Sequence, residues 1–333
     1  MARSRKRGLG YRKMKLAILG LFVFGFFLIL TYQNTFTHTW RKTPIPINLS
    51  LIADMESLTL DDIFISVKTS KNLATTRLPI ILETWFQLAK EQTWFFTDED
   101  NMELQKQTNG HMINTNCTSQ HNRDGLNCKM ELEYRYYMKS GKKWFCHFDD
   151  DDYVNIPRLV AVLQEYNHKQ DWYLGKRSSF SPMKLACRYL NYTRWAVYDI
   201  VFWFGTGGAG FCISNALALK MYNVFALNGF TDVCSALTLN DDVCIGFLID
   251  YVTKRKVTLT QVPGFHSHIE IMKKISLEHF QKQITFSYSS NNTIDIRGFN
   301  TSVDPSRFLS LHCFLFPNFG YCKNKESVGM FQQ

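Results

Sequence analysis

Four aspartates in a row, Asp149, Asp150, Asp151 and Asp152, stand in the stretch WFCHFDDDDYVN of residues 144–155. Like charges this close repel one another and call for a cation among them. Two or three carboxylates can share a hard divalent cation through oxygen while leaving coordination positions for the phosphates of a nucleotide. A solvated acidic loop is the plainer alternative, and the apolar and aromatic residues before the run weigh against it. A second acidic pair, Asp241 and Asp242, precedes the apolar run VCIGFLI. It reads either as helix-start acids, each stabilised by about 0.3–1 kcal/mol from the helix dipole, or as the seat of a catalytic base. His266 and His268 of FHSH share one face of an extended segment, as metal ligands or as two hydrogen-bonded histidines. In FWFGTGGAGFCIS, residues 202–214, the glycines let a ligand approach the backbone closely. The neighbouring Phe202, Trp203 and Phe204 offer either a platform for the apolar face of a sugar ring or part of a tight β-turn. The segment is neither a dinucleotide fingerprint nor a phosphate-binding P-loop.

The elements that must position these residues alternate. DDIFISVKTS, residues 61–70, reads as a buried strand, TRLPIILETWFQLAKEQ, residues 76–92, as a helix, and TWFFTDED, residues 93–100, as a strand. CKMELEYRYYMKSG, residues 128–141, is a helix ended by Gly141, and KWFCHF is the strand that feeds the acidic run. A helix over residues 156–166, started by Pro157, and a strand at DWYLGK follow. The spacing predicts βαβ units, hence an α/β fold with a mostly parallel central sheet and flanking helices. The acidic run then falls at the carboxyl end of a buried strand, where open α/β sheets bind ligands.

Charge and cysteines bound the compartment. The formal net charge of +9 belongs to a basic tail: seven Lys or Arg lie in residues 1–15, two more are Arg41 and Lys42, and residues 43–333 are formally neutral. A nucleic-acid footprint is therefore not supported. The apolar run of residues 16–32 is near the lower length limit for a membrane-spanning helix and lacks a small-residue cleavage site. It reads as an uncleaved signal anchor rather than a signal peptide, with a cytosolic tail at 1–15, a lumenal stem at 33–58 and a catalytic domain at 59–333. Five Asn-x-Ser/Thr sequons, at Asn48, Asn116, Asn191, Asn291 and Asn300, agree with that topology. The nine cysteines all follow the apolar run, and the close pairs Cys117/Cys128 and Cys313/Cys322 each suggest a short bridged loop.

The motifs LDDIFISVKTS, TNC, CKM, KWFCHFDDDDYVN, FWFGTGGAGFC, DDVCIGF, FHSHIE, DPSRF and SLHC, in this order over residues 58–322, resemble the Fringe proteins, and most nearly the arthropod type. The resemblance implies a Golgi type II membrane enzyme with a GT-A-like fold. Its activity would be inverting transfer of N-acetylglucosamine from UDP-GlcNAc, with Mn²⁺, to the 3-hydroxyl of O-linked fucose on EGF-like repeats of Notch-type receptors. Matched residue by residue, Asp149, Asp150 and Asp151 stand at the family's DDD motif, with Asp151 and His268 as the implied metal ligands and Asp242 as the implied base. Thr69, Arg77 and Lys129, with Asp149 and Asp150, are assigned to the nucleotide pocket, and a Cys146–Cys212 disulfide is implied. The rival readings are a related β-1,3-glycosyltransferase with another acceptor glycan and an inactive glycan-binding relative. The sequence departs from the family at Asp152 (usually Asn), Asn240 (commonly Pro) and Gly205 (Ala). Cys187, Cys234 and Cys244 are not evident family cysteines, and the divergent stretches 185–200 and 222–238 bear on acceptor choice.

Overall fold

A computed structural model describes residues 57–323 apart from 192–193 and 227–228, and side chains from residue 187 to 198 also lie outside the description. The chain divides at Glu56/Ser57, and everything below concerns the unit that begins at Ser57. The expected tail, anchor and nearly all of the stem lie outside the described residues. Among the described residues no helix is long and apolar enough to cross a membrane.

The strands are β1 Ile63–Lys68, β2 Thr93–Thr97, β3 Met112–Asn114, β4 Trp144–Asp149, β5 Asp152–Val154, β6 Tyr173–Gly175, β7 Met183–Asn191, β8 Arg194–Phe202, β9 Phe211–Ser214, β10 Thr260–Gln261 and β11 Thr285–Ser287. The helices are α1 Lys71–Glu83, α2 Met102–Gln107, α3 Arg123–Ser140, α4 Ile156–Leu163, α5 Asn215–Ala226, α6 Gly229–Leu237, α7 Asp241–Val252 and α8 Phe308–Leu315. Seven strands form one sheet in the order β10-β6-β9-β4-β1-β2-β3. All its neighbours run parallel except β9, which lies antiparallel to both β4 and β6. The mostly parallel α/β sheet expected from the sequence is therefore present, with one reversed strand that local pattern did not disclose. β7 and β8 pair as a separate antiparallel hairpin, and β5 pairs with β11.

β1 is buried along its whole length and β4 up to Asp149, as central strands covered on both faces must be. One core packs α1 and α4 against the sheet around Trp85, Trp144 and Phe148; the other packs α3, α5 and α7 around Tyr134, Phe145 and Phe211. The helix expected over residues 76–92 instead starts at Lys71, where Asp98 accepts a hydrogen bond from the Lys71 backbone amide, and ends at Glu83. A 3₁₀ turn over Trp85–Leu88 follows, so Trp85 and Leu88 are not on that helix. α3 begins five residues before the expected 128, because the Asn122 side chain caps it at the Gly125 amide, and it stops at Gly141 with φ 67° as expected.

The two close cysteine pairs and the implied Cys146–Cys212 bridge are all disulfides. A fourth bridge, Cys234–Cys244, ties α6 to α7. Gly210, which precedes β9, has φ 74°, and a Cβ there would stand 2.3 Å from Phe148 Cδ1 and 2.9 Å from the His147 carbonyl. Gly210→Ala is expected to lower unfolding stability by about 2–5 kcal/mol through left-handed strain plus overpacking, read from urea denaturation. A change below about 1 kcal/mol would contradict this close approach.

Candidate active site

Three segments meet over the carboxyl ends of β1 and β4. β4 delivers Asp149, the turn after it Asp150 and Asp151, and β5 starts with Asp152. The 3₁₀ turn Gly207–Ala209, between β8 and β9, lies opposite, and the first turn of α7 supplies Asp241 and Asp242. Between them is a cavity of about 500 Å³. Every residue assigned from sequence to the site lines it: Thr69, Arg77, Lys129, the three aspartates Asp149, Asp150 and Asp151, Asp242 and His268.

The residues expected to line a nucleotide pocket are held in place by one another and by Asp98. Asp150 accepts from the Thr69 hydroxyl at 2.7 Å and from Arg77 at 2.5 Å, while Arg77 also lies 3.2 Å from Asp151. Lys129 donates to the Thr69 carbonyl at 2.8 Å and to Asp98 at 2.5 Å. Arg77 thus serves two of the three cavity carboxylates, Asp150 and Asp151. Burial, reinforced by Asp149, pushes Asp151 up to about 7. Burial also pushes Asp152 well above the usual carboxylate range; its Oδ1 has no hydrogen-bond partner, while Oδ2 accepts from the Asp149 amide at 3.3 Å.

Asp242 lies in the first turn of α7 and also lines the cavity. Its Oδ1 accepts from the Val243 amide at 2.7 Å and its Oδ2 from the Gly207 amide at 3.1 Å. Burial and the adjacent Asp241 nevertheless push it up to about 6. The two histidines part company. His266 is engaged with Glu270 at 3.1 Å and Gln283 at 2.8 Å, whereas His268 reaches the cavity, its carbonyl held by Asn292 at 2.8 Å. The expected aromatic platform is not formed. Phe202 is buried in the core, Phe204 backs onto Gly246, and the Arg177 guanidinium covers Trp203 at 4.4 Å from the ring centroid.

Sequence reasoning missed a buried charge chain beneath the cavity. Lys68 pairs with Asp241 and lies 3.7 Å from Glu133; Glu133 accepts from Ser66 at 2.7 Å and from His147 Nδ1 at 2.6 Å. His147 Nε2 in turn lies 3.6 Å from Asp149 Oδ1. Burial opposes charge on His147, but Glu133 overrides it and raises the imidazole to about 9. Burial likewise opposes charge on Asp149, and the His147 ring overrides it and holds the carboxyl down to about 2. The adjacency of His147 to the acidic run was the only signal; Glu133 and Lys68 look like ordinary helix and turn charges in sequence.

Whether a divalent metal suits this site can be asked of the donors. Asp151 with excess negative charge around it, and a His268 imidazole in the same cavity, are the oxygen and nitrogen types that Mn²⁺ accepts. A Cβ on Gly208 would come 3.2 Å from His268 Nδ1, so the glycine keeps that side of the imidazole uncrowded. Among the described residues no group of three acidic, His or Cys side chains could hold a metal alone. The set fits a cation that draws its remaining ligands from substrate oxygens, a common arrangement for metals bound with phosphates.

Fold and site together define an α/β protein with an acidic ligand cavity at the carboxyl edge of parallel strands. The family described as Fringe-like matches residues 58–319. The chain is 51% identical over 267 residues to the Fringe glycosyltransferase of Drosophila melanogaster, an alignment covering 79% of this chain and 64% of that protein, just under two thirds of it. It is 44% identical over 272 residues to the zebrafish (Danio rerio) beta-1,3-N-acetylglucosaminyltransferase lunatic fringe, covering 80% and 71%. This chain belongs to the Fringe family, and the higher identity to the fly protein agrees with the arthropod-type resemblance. Among solved structures, the glycosyltransferase GlyE of Streptococcus pneumoniae aligns with a TM-score of 0.31 at 9% identity over 60% of this chain and 44% of that one, too slight a likeness to argue from.

Proposed function

We propose that this protein is an inverting β-1,3-N-acetylglucosaminyltransferase. It would use UDP-GlcNAc and Mn²⁺ to extend O-linked fucose on EGF-like repeats of Notch-type receptors, as a single-pass type II protein of the Golgi membrane. The observation that carries the chemistry is the separation of carboxylates: Asp242 faces the aspartate run across Gly207 within one cavity. One-step inversion needs a base apart from the groups that hold the leaving diphosphate, and no covalent nucleophile. The family membership supports the donor and linkage, and the basic tail, apolar run and disulfides support a lumenal catalytic unit.

Asp242 takes the proton from the attacking fucose hydroxyl. Its two backbone hydrogen bonds fix the carboxylate, and Lys68 holds the neighbouring Asp241 in an ion pair. Thr69 and Arg77 orient Asp150, and the Arg77 guanidinium would offer its positive charge to the leaving diphosphate. Asp151 and His268 would hold Mn²⁺, which when bound supplies charge stabilisation to the leaving diphosphate.

The test incubates the full chain, purified in detergent, with Mn²⁺, a panel of UDP-sugars and an O-fucosylated EGF-like repeat beside its unfucosylated control. Mass spectrometry should show one N-acetylhexosamine gained from UDP-GlcNAc on the fucosylated repeat alone. Transfer only to a different glycan would refute the acceptor, and no turnover of any UDP-sugar would refute the enzyme. For the metal, Asp151→Ala is expected to weaken UDP binding in Mn²⁺ by at least about tenfold. Titration calorimetry with and without Mn²⁺ measures this; an unchanged affinity would remove Asp151 from the ligand set.

A further inference from the structure

His147 is a buried residue whose outer ring nitrogen the chemistry above leaves unused. Glu133, which is itself fully buried, accepts from Nδ1, so Nδ1 carries a proton and the ring orientation is fixed. Nε2 is buried, has no hydrogen-bond partner and borders the cavity. Beside it is a hollow that exists because residue 207 is glycine. A Cβ on Gly207 would stand 3.7 Å from His147 Nε2, 3.7 Å from Asp242 Cβ and 3.9 Å from Asp149 Oδ2. The φ of Gly207 is not in the left-handed region, so the backbone itself does not require a glycine there.

The occupant of this hollow can be read from its walls. A lone pair on Nε2 facing Asp149 Oδ1 at 3.6 Å would be repelled, so Nε2 presents a proton, in keeping with the raised basicity that Glu133 gives the ring. A donor and an anionic acceptor side by side match a group that both donates and accepts. A hydroxyl does so; a phosphate oxygen only accepts and would meet the Asp149 charge. In-line displacement puts the transferred sugar between the diphosphate and the base, and the hollow lies between the aspartate run and Asp242.

We propose that His147 Nε2–H and the Asp149 carboxylate together grip one hydroxyl of the transferred sugar in the hollow over Gly207, with Glu133 fixing the imidazole for that task. This rests on the reading of the protein as a UDP-sugar transferase. It adds a donor-sugar-binding residue to that reading and makes sugar recognition, separate from nucleotide recognition, depend on a buried Glu–His pair.

Two variants of the full chain separate the two ends of the ring. In His147→Asn the amide can replace Nδ1 toward Glu133 but does not reach the hollow, whereas in His147→Gln it can reach the position of Nε2. Calorimetric titration in Mn²⁺ should show His147→Asn binding UDP-GlcNAc roughly ten- to a hundredfold more weakly than wild type, the span of a charged hydrogen bond, with UDP affinity unchanged. His147→Gln should recover part of the loss. Gly207→Ala fills the hollow at van der Waals distance from His147 while leaving the imidazole and its Glu133 contact in the chain, and should show the same split, which keeps the test readable if an imidazole variant does not fold.

Equal weakening of UDP and UDP-GlcNAc would place the contact on the ribose or in the fold and overturn the proposal. So would unchanged UDP-GlcNAc affinity with a raised KM for the fucosylated acceptor, which would place the hydroxyl on the acceptor. Wild-type protein that binds UDP but no UDP-sugar would overturn both this proposal and the functional reading. Normal wild-type binding with unaffected variants would overturn this one alone.

Discussion

Asp242→Asn is expected to lower kcat by about 10²–10⁴-fold while UDP affinity in Mn²⁺ stays within about twofold of wild type. The asymmetry follows from where the carboxylate stands. Both oxygens accept backbone hydrogen bonds, from Val243 and Gly207, whereas Thr69 and Arg77 bond Asp150, on the side proposed for the nucleotide. An asparagine keeps one of the two acceptors, so the first turn of α7 stays in place, but it cannot take a proton from the acceptor hydroxyl. Wild-type kcat/KM should also fall tenfold per pH unit on the acid side, with a midpoint near 6, because burial and Asp241 raise Asp242 to about 6 and only its ionised form is a base. The limb should vanish in the residual activity of Asp242→Asn. A variant retaining more than about a tenth of the wild-type rate would assign the proton to another group, for which His147 is poorly placed because its Nε2 already bears one.

The parts of this site that sequence disclosed are those written in consecutive residues. The continuous apolar runs of β1 and β4 announce central strands, and an acidic run at the end of such a strand lands at the ligand crevice by the geometry of a parallel sheet. Asp242 and His268 were each ambiguous locally, since a helix-start acid and a structural histidine have the same neighbours as functional ones. Only the meeting of three segments across the cavity separates His268 from His266. The buried chain is harder still, because its links span 67 residues from Ser66 to Glu133 and 173 from Lys68 to Asp241. Glu133 sits in a helix rich in charge and gives no sign in sequence of facing inward. The reversed strand β9 was hidden for a related reason: strand direction is fixed by the connection between elements, and here that connection includes the long β7–β8 hairpin rather than a crossover helix.

Replacing both Cys146 and Cys212 by alanine is expected to cost about 4 kcal/mol of stability, measured by urea denaturation. The two residues lie directly opposite each other on antiparallel β4 and β9 with Cα atoms 4.1 Å apart, and both are fully buried. Their bridge closes 66 residues of chain, against 10 for Cys234–Cys244. Loop-closure entropy in the unfolded chain grows with the logarithm of that length, so the same double replacement at Cys234 and Cys244 should cost only about 3 kcal/mol. A reversed order would mean that helix packing around the shorter bridge, not chain entropy, dominates. The longer bridge also has a consequence for the site. It joins the strand that delivers His147 and Asp149 to the strand that follows Gly207, the two walls of the proposed sugar hollow. A mild thermal ramp, read well before global unfolding, should therefore cost the double variant its affinity for UDP-GlcNAc sooner than that for UDP, because the bridge ties both walls of the hollow together, whereas of the two bridged strands only β4 adjoins β1, the strand that leads to Thr69.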